Sequence, residues 1–288
     1  MVANPGMETH IHPFQITQAK TQELTSMYLH TSPEFQMKEL LASDEGLNNI
    51  FTLGYCFRDE PKSEIHRPQF LMLEWYRKNE RYEKIMDDVE KLLLFIQSRF
   101  TAKHLLKTNI HSFPRVSVQD LFLEFLHFDI LEFMDTKSLK QKIQKDFKDV
   151  PLPHEECSWD DYYFLLFLNK IETELKNYPY LLIKEFPAPL AALSTISTND
   201  SRVSERFEVY LSGVELCNCF NELTNPHEQK NRFELQTKDK KEIYDYELPW
   251  PKEFMSVLEE GYPASSGIAL GVERLLYSLI NIENAFFK

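Results

Sequence analysis

Glycine is scarce in this sequence. The 288 residues include only seven. They form neither G-x-x-x-x-G-K-[ST] nor G-x-G-x-x-G, so neither a P-loop nor a dinucleotide fingerprint is available to hold a nucleotide. Cysteine is nearly as rare: Cys56, Cys157, Cys217 and Cys219 make up the full set of four. Cys217-x-Cys219 has no second pair or histidine at zinc-site spacing, and His10-x-His12 has no third ligand nearby. Reduced thiols in a cytoplasmic protein are the simplest expectation. No run of about 18 apolar residues occurs, so no membrane span is expected. The opening residues lack a basic segment followed by an apolar one, so no secretory signal is visible. Positive charge is also short, with 32 Lys and Arg against 45 Asp and Glu and a net charge of −13. A long nucleic-acid footprint needs a basic face. Stable nucleic-acid binding is therefore not expected, although net charge does not decide a contact within one cleft.

What the chain does hold is a large apolar fraction, 43% hydrophobic and 13% aromatic. There is no repeat, low-complexity tract or flexible linker. A single domain over residues 1–288 is the simplest reading, an α+β fold of antiparallel sheet and helices. An irregular opening leads to a helix "EFQMKELLAS", with Ser32 as N-cap and Pro33 at the first helical position. "IFTLGYCFRDE" and "QFLMLEWYR" alternate as strands of a hairpin whose long connection is Pro61 to Pro68. From about Arg81 to Leu175 the periodicity is helical, with caps at Ser117 and Ser158; it reads as a helical insertion over about 78–175. "YLLIKEFP" and "RFEVYLSGVELCNCF" are strands. Helices follow around "PHEQKNRFELQ" and "PKEFMSVLEEG". The strand "GIALG" then runs straight into the helix "VERLLYSLI".

Three stretches can carry chemistry. If Ser212-Gly213 is a two-residue turn, Tyr210 faces Glu215, and Glu208 shares that face. Carboxylates one rung apart repel unless a cation such as phosphate-bound Mg²⁺ lies between them; the alternative is a solvated face where the charges do nothing. Glu222 stands seven residues past Glu215, and joins them only if the strand bulges or ends first. In the first hairpin, Arg58 and Glu60 share a face, and Glu74 and Tyr76 share one on the partner strand. Arg58 offers a fork for phosphate or carboxylate, and Glu74 with Tyr76 could hold an ammonium. A chain of cross-strand salt bridges is the other reading. Last, Gly267 and Gly271 let backbone approach a ligand. Arg274 sits in the first turn of the following helix, where negative charge is favoured, which suggests an anionic partner.

Taken together, "FRDE…HRPQFLMLEWYR" and "GIALGVERLL" resemble the second and third motifs of class II aminoacyl-tRNA synthetases. "GVELCNCFNELTNP" is similar to the lysyl subgroup's ligand-bearing strand. "TSPEFQMKELL", "FPAPLAALSTIS" and "RVSERFEVYLSGVEL" resemble more narrowly the lysyl-tRNA synthetase paralogues that modify elongation factor P. The resemblance spans about Glu8 to Leu279 and is weakest in the helical block.

It implies a class II catalytic core and an ATP-dependent, AMP- and pyrophosphate-forming ligase of the cytoplasm. Its cofactors would be ATP and Mg²⁺, its substrate (R)-β-lysine and its acceptor a lysine of elongation factor P. The catalytic residues would be Arg58 and Arg274. Asp59, Glu60, His66, Arg67, Phe70, Glu215, Leu216 and Gly271 would join them around ATP, Phe70 stacking on adenine with Arg274 on its other side. Glu208 and Glu215 would hold Mg²⁺. Ser32, Pro33, Glu34, Glu74, Tyr76, Asn218, Glu222 and Ala269 would bind the amino acid. The acidic charge, and the lack of an oligonucleotide-binding domain before the core, imply no tRNA substrate. Ala269 replaces the middle glycine of G-x-G-x-G, a change of one methyl in the amino-acid site. Arg67 stands where the family often has Asn, Cys219 replaces a usual Gly, and Asn221 also varies. The family's first motif, which builds a homodimer, would precede Glu8, where seven residues stand. A related enzyme with another amino acid or acceptor, and a non-catalytic lysine-sensing paralogue, are the competing expectations.

Overall fold

The computed structural model describes residues 1–43, 45–100, 106–155 and 157–280. Strands β1 (Gln15–Thr17) and β2 (Leu24–Tyr28) precede helix α1 (Glu34–Ser43). The long pair β3 (Asn49–Phe57) and β4 (Gln69–Lys78) follows, then α2 (Tyr82–Arg99). Next come β5 (Arg115–Ser117), α3 (Val118–Leu126), α4 (Thr136–Asp146), α5 (Trp159–Leu166) and α6 (Glu172–Leu175). A π-turn, Phe167–Ile171, joins the last two. β6 (Leu181–Pro187), β7 (Val203–Leu211) and β8 (Val214–Asn221) are followed by α7 (Pro226–Tyr244) and α8 (Lys252–Gly261). β9 (Ser265–Gly271) and α9 (Val272–Leu279) complete the described chain. The fold is α+β. The chain divides into two compact units, one of Met1–Met86 with Asn221–Tyr277, the other of Asp87–Phe220 with residues 278–280.

In the first unit, β3, β4 and β9 run side by side, each antiparallel to its neighbour. β4 alternates as a half-buried strand should: Met72, Glu74 and Tyr76 are buried while the residues between them are partly exposed. β9 supplies the facing row, with Gly271 opposite Met72, Ala269 opposite Glu74 and Gly267 opposite Tyr76. α1 buries Phe35, Met37, Lys38 and Leu41. Phe35 stacks on Phe254 of α8 at 4.6 Å, and Phe233 of α7 meets it edge-on. β1 and β2 form a separate small antiparallel pair.

In the second unit, β8, β7 and β6 are antiparallel and β5 lies parallel to β6. The helices pack through aromatics: Tyr163 stacks with Trp159, Phe122 and Phe167. Ser117 and Ser158 each close a capping box, with Asp120 and Asp161. The β7–β8 turn is the expected Ser212-Gly213, with φ of 49° and 84°, the left-handed pair that matches strand twist.

Four local expectations need correction. β3 ends at Phe57, so Arg58 and Glu60 lie past the strand and share no strand face. Hydrogen bonds explain the exit: Arg58 N–H still donates in register to the Pro68 carbonyl, but Pro68 has no N–H to return, and Asp59 N–H donates to the His12 carbonyl instead, which takes the backbone out of the ladder. The opening segment is not wholly irregular, because it holds β1 and β2. The helical block contains β5, too short to show an alternation. Helix α1 begins at Glu34 rather than Pro33; Ser32 Oγ accepts the Glu34 N–H at 3.3 Å, and the Pro33 carbonyl accepts the Met37 N–H at 2.9 Å.

Candidate active site

The first unit gathers three carboxylates and an ammonium beneath β4. Glu34 opens α1, Glu74 lies mid-β4, and Glu222 directly follows β8, its N–H donating to the Ser265 carbonyl at 3.0 Å. Lys38, one helical turn after Glu34, places Nζ 2.7 Å from Glu34 Oε1 and 2.5 Å from Glu222 Oε2. Lys38, Glu74 and Glu222 are all buried. Glu74 Oε1 accepts the Tyr76 hydroxyl at 2.7 Å, while its Oε2 is buried without a hydrogen-bond partner. Burial pushes the Glu74 carboxyl up to about 8, with the negative charge of Glu34 adding to the rise. Burial also raises Glu222, against the pull of Lys38. For Lys38 burial acts downward, but Glu222 and Glu34 outweigh it and hold the ammonium above the ordinary lysine range. An orphaned carboxylate oxygen in such a place costs about 1–3 kcal/mol or more. A hydrogen-bond donor, whether a ligand's N–H or a proton on the carboxyl itself, would satisfy it.

The pairing of β4 explains the glycine row. A methyl at Gly267 would collide with the Tyr76 ring and the Glu222 carboxylate. The backbone approach is therefore made by the chain's own Tyr76, rather than by an open wall as the sequence suggests. At Gly271 an added carbon meets only Arg274, at ordinary contact distance. Ala269 is the cross-strand partner of Glu74.

Most of the nucleotide-binding candidates also lie in this unit; Glu215 and Leu216 belong to the second. The Arg58 guanidinium stands 5.3 Å over the Phe70 ring, and its Nε donates to the Thr31 carbonyl at 3.4 Å. Arg274, in the first turn of α9, bonds His66 Nε2 at 2.9 Å, and His66 Nδ1 meets Ser63 Oγ at 2.8 Å. The structure thus joins Arg58 to Phe70 and Arg274 to His66. Asp59, Glu60 and Arg67 sit in the connecting loop between β3 and β4. The salt-bridge reading of this hairpin does not hold for Glu74, whose cross-strand neighbours are Thr52 and Ala269.

The second unit carries the other pair of glutamates. Glu208 faces Asn218, and Tyr210 faces Glu215 as expected. Leu216 is an extra residue, because the register shifts between Val209 and Tyr210. That bulge changes the seven-residue step from Glu215 to Glu222 into an even one, the condition under which Glu222 falls in phase. Glu208 is not solvated: its side chain is 13% exposed, bonded through Oε1 to Arg206 and through Oε2 to the Tyr210 hydroxyl at 2.8 Å. Burial lifts its carboxyl to about 7; Arg206 opposes this and Glu215 adds to it. No group of three or more metal-ligating side chains occurs among the described residues. Two carboxylates remain compatible with Mg²⁺, which keeps waters and phosphate oxygens as its other ligands. Asn218 Oδ1 is buried without a hydrogen-bond partner. Cys219 is fully buried opposite Phe207, on the strand face away from Asn218.

Sequence reasoning missed four residues. Lys38 reads as one more lysine on a helix face, and its spacing of four from Glu34 was the available signal. Glu273 accepts the Leu71 N–H at 2.9 Å, capping the ladder where β9 stops; an acid in a first helical turn was visible. Arg206 was signalled only by its place two residues before Glu208. Tyr262 accepts the Ser265 hydroxyl at 2.8 Å and had no signal. No helix among the described residues is long and apolar enough to cross a membrane.

Comparison with known families matches residues 2–285 to the tRNA synthetases class II (D, K and N). The elongation factor P–(R)-β-lysine ligase of Hamiltonella defensa is 36% identical over 259 residues, covering 90% of this chain and 75% of that protein. The protein of the same name from Proteus mirabilis is 36% identical over 279 residues, 96% of this chain and 81% of that protein. A third, from Buchnera aphidicola, is 34% identical over 281 residues, with 95% and 81% covered.

Proposed function

Because the chain belongs to the class II tRNA synthetases (D, K and N), we propose that it activates (R)-β-lysine with ATP and transfers it to a lysine side chain of elongation factor P. The observation that carries this reading is the buried Glu74, one oxygen held by Tyr76 and the other unpartnered. A seat for an ammonium inside an ATP-using fold calls for an amino acid with a cationic end. The names of the three relatives supply the particular substrate and acceptor.

In this reading Glu74, Tyr76 and Glu222 take the distal ammonium. Glu34 takes the other amine, beside Ser32 and Pro33, and Asn218 helps place the carboxylate. Ala269 trims the wall so that the β-amino backbone is preferred by about 1–3 kcal/mol, the scale of one methyl. Phe70 accepts the adenine ring once Arg58 leaves its face. Asp59, Glu60, His66, Arg67, Leu216 and Gly271 complete the nucleotide contacts. Glu208 and Glu215 would hold Mg²⁺, which would neutralise phosphate charge when bound. A lysine carboxylate oxygen attacks the α-phosphorus as the bond to the β-phosphate breaks, giving the aminoacyl-adenylate and pyrophosphate. Arg58 faces the charge that spreads on the α-phosphate, and Arg274 the γ-phosphate. The acceptor amine then attacks the acyl carbon, an amide forms, AMP leaves and the amine's proton is lost to solvent. No general base is needed for the first step, since the nucleophile is already a carboxylate.

The chain would work in the cytoplasm without charging tRNA, and as a homodimer if it follows its family. The competing idea of a different amino acid or acceptor drew on Cys219 and Asn221; Cys219 is buried opposite Phe207, and Asn221 Oδ1 accepts the Ser266 hydroxyl at 3.0 Å. The test is lysine-dependent ATP–pyrophosphate exchange. Exchange stimulated far more by (R)-β-lysine than by α-lysine is the expected result. Silence with both isomers would overturn the reading.

A further inference from the structure

Lys240 is wholly enclosed and belongs to no ligand set described above. It lies on the inward stripe of α7 with Gln229 and Phe233. Burying an ammonium is costly unless its protons find acceptors. Here all three have one. Nζ donates to the carbonyls of Glu8 at 3.1 Å, Thr9 at 2.7 Å and Ile11 at 2.9 Å. The rings of Tyr244 and Tyr246 stand 5.7 and 5.1 Å from it. The segment so gathered carries His10 and His12. No metal-holding group of three forms among the described residues, and each histidine meets a tyrosine instead. His10 Nδ1 lies 2.8 Å from the Tyr244 hydroxyl, and His12 Nδ1 lies 2.6 Å from the Tyr246 hydroxyl. The His12 carbonyl, next along the chain from the Ile11 carbonyl that Lys240 takes, accepts the Asp59 N–H at 2.7 Å. Asp59 is the root of the β3–β4 loop, between Arg58 and Glu60. One short segment therefore ties α7 to that loop.

We propose that Lys240 is a positioning residue for the nucleotide: by fixing the carbonyls of Glu8, Thr9 and Ile11 it places the His12 carbonyl to hold the Asp59 amide, and so sets the loop that carries Arg58, Asp59 and Glu60. This deepens the ATP-using reading above and rests on it. Lys240 touches no reacting group and acts only through His12 and Asp59. The Arg58 side chain leaves the Phe70 face when adenine arrives. A loop also free at its root would have more to order at that moment, and ordering weakens binding. With the Asp59 amide held, the backbone stays in place while the Arg58 side chain turns.

The test compares the full wild-type chain with Lys240→Met, which keeps the length and removes all three donors. Two readouts are taken: pyrophosphate exchange kinetics, and amide hydrogen exchange resolved at Asp59. Lys240→Met is expected to raise the ATP KM roughly 3- to 10-fold, the range for one neutral hydrogen bond, with the lysine KM within about twofold. The Asp59 amide is expected to exchange faster by a similar factor. A lysine that only glued the opening segment to α7 would loosen residues 8–12 and leave the Asp59 amide and the ATP KM alone. The proposal needs both changes. A folded Lys240→Met with an unchanged ATP KM overturns it, as does an unchanged Asp59 amide or a parallel rise in both constants. If Lys240→Met does not fold by circular dichroism, Lys240→Gln decides, since its amide can donate to at most two of the three carbonyls. A raised ATP KM at constant lysine KM then supports the proposal, and unchanged values overturn it. If the wild type shows no pyrophosphate exchange with either lysine isomer, the activation reading fails separately. Calorimetric titration of ATP then judges Lys240: binding about three- to tenfold weaker in the variant supports it, and equal affinity overturns it.

Discussion

Glu74, the proposed ammonium seat, shows how a residue's surroundings change an ordinary acid. Its carboxyl is pushed up to about 8, chiefly by burial, so near neutral pH the empty seat holds a proton. A bound ammonium favours the charged form, and binding at pH 7 should release a fraction of a proton. Calorimetry in buffers of differing ionisation enthalpy reads this directly, and the release should fade above about pH 9. The lysine KM should correspondingly fall as pH rises toward 8. Replacing Glu74 with Gln removes a charged hydrogen bond worth about 1.5–3 kcal/mol. The lysine KM should rise roughly 10- to 100-fold while the ATP KM stays nearly constant. Glu74 and Tyr76 were legible in the sequence because a period of two puts them together. Lys38 was not, because its partner Glu222 is 184 positions away and nothing local distinguishes it from a solvated lysine.

At the scale of elements, the β7–β8 hairpin shows what alternation can and cannot tell. The Ser212-Gly213 turn and the Tyr210–Glu215 pair followed from sequence alone, since a two-residue left-handed turn fixes the first rungs. The Leu216 bulge did not, because an extra residue is set by how β8 fits β7 and leaves no mark in hydropathy. The turn makes a separate stability prediction. Gly213 has φ of 84°, and an added Cβ would lie 3.1 Å from the Lys176 backbone nitrogen. Gly213→Ala should cost about 1–2 kcal/mol from the left-handed backbone alone, with any crowding extra. Urea unfolding of the purified protein should show a lower midpoint at an unchanged slope. β3 is the instructive failure: the charged run after Phe57 continues the alternation on paper, but Pro68 has no N–H to carry the ladder on and Asp59 bonds the His12 carbonyl instead. The end matters, because it frees Arg58 to stand over Phe70.

Across the whole molecule, the enclosed acids bind protons more tightly folded than unfolded. Glu74 at about 8 and Glu208 at about 7 compare with about 4.3 for a free glutamate. Groups with raised folded values stabilise fully below the unfolded value, and that contribution is lost as pH climbs through the folded one. The ligand-free chain should therefore melt at progressively lower temperature from about pH 5 to pH 8, and a lysine ligand should reduce the slope. The α+β class and the family motifs were legible because they lie in short contiguous segments. The division into two compact units was not, since the first joins Met1–Met86 to Asn221–Tyr277 across a long stretch of sequence. The account's central claim is that one chain both forms a lysyl-adenylate and delivers it to a protein amine. The most direct measurement incubates the purified chain with ATP, Mg²⁺, elongation factor P and either (R)-β-lysine or α-lysine, then weighs the acceptor by intact mass spectrometry. The prediction is a gain of one lysyl unit, much faster with (R)-β-lysine. An unmodified acceptor with both isomers would contradict it.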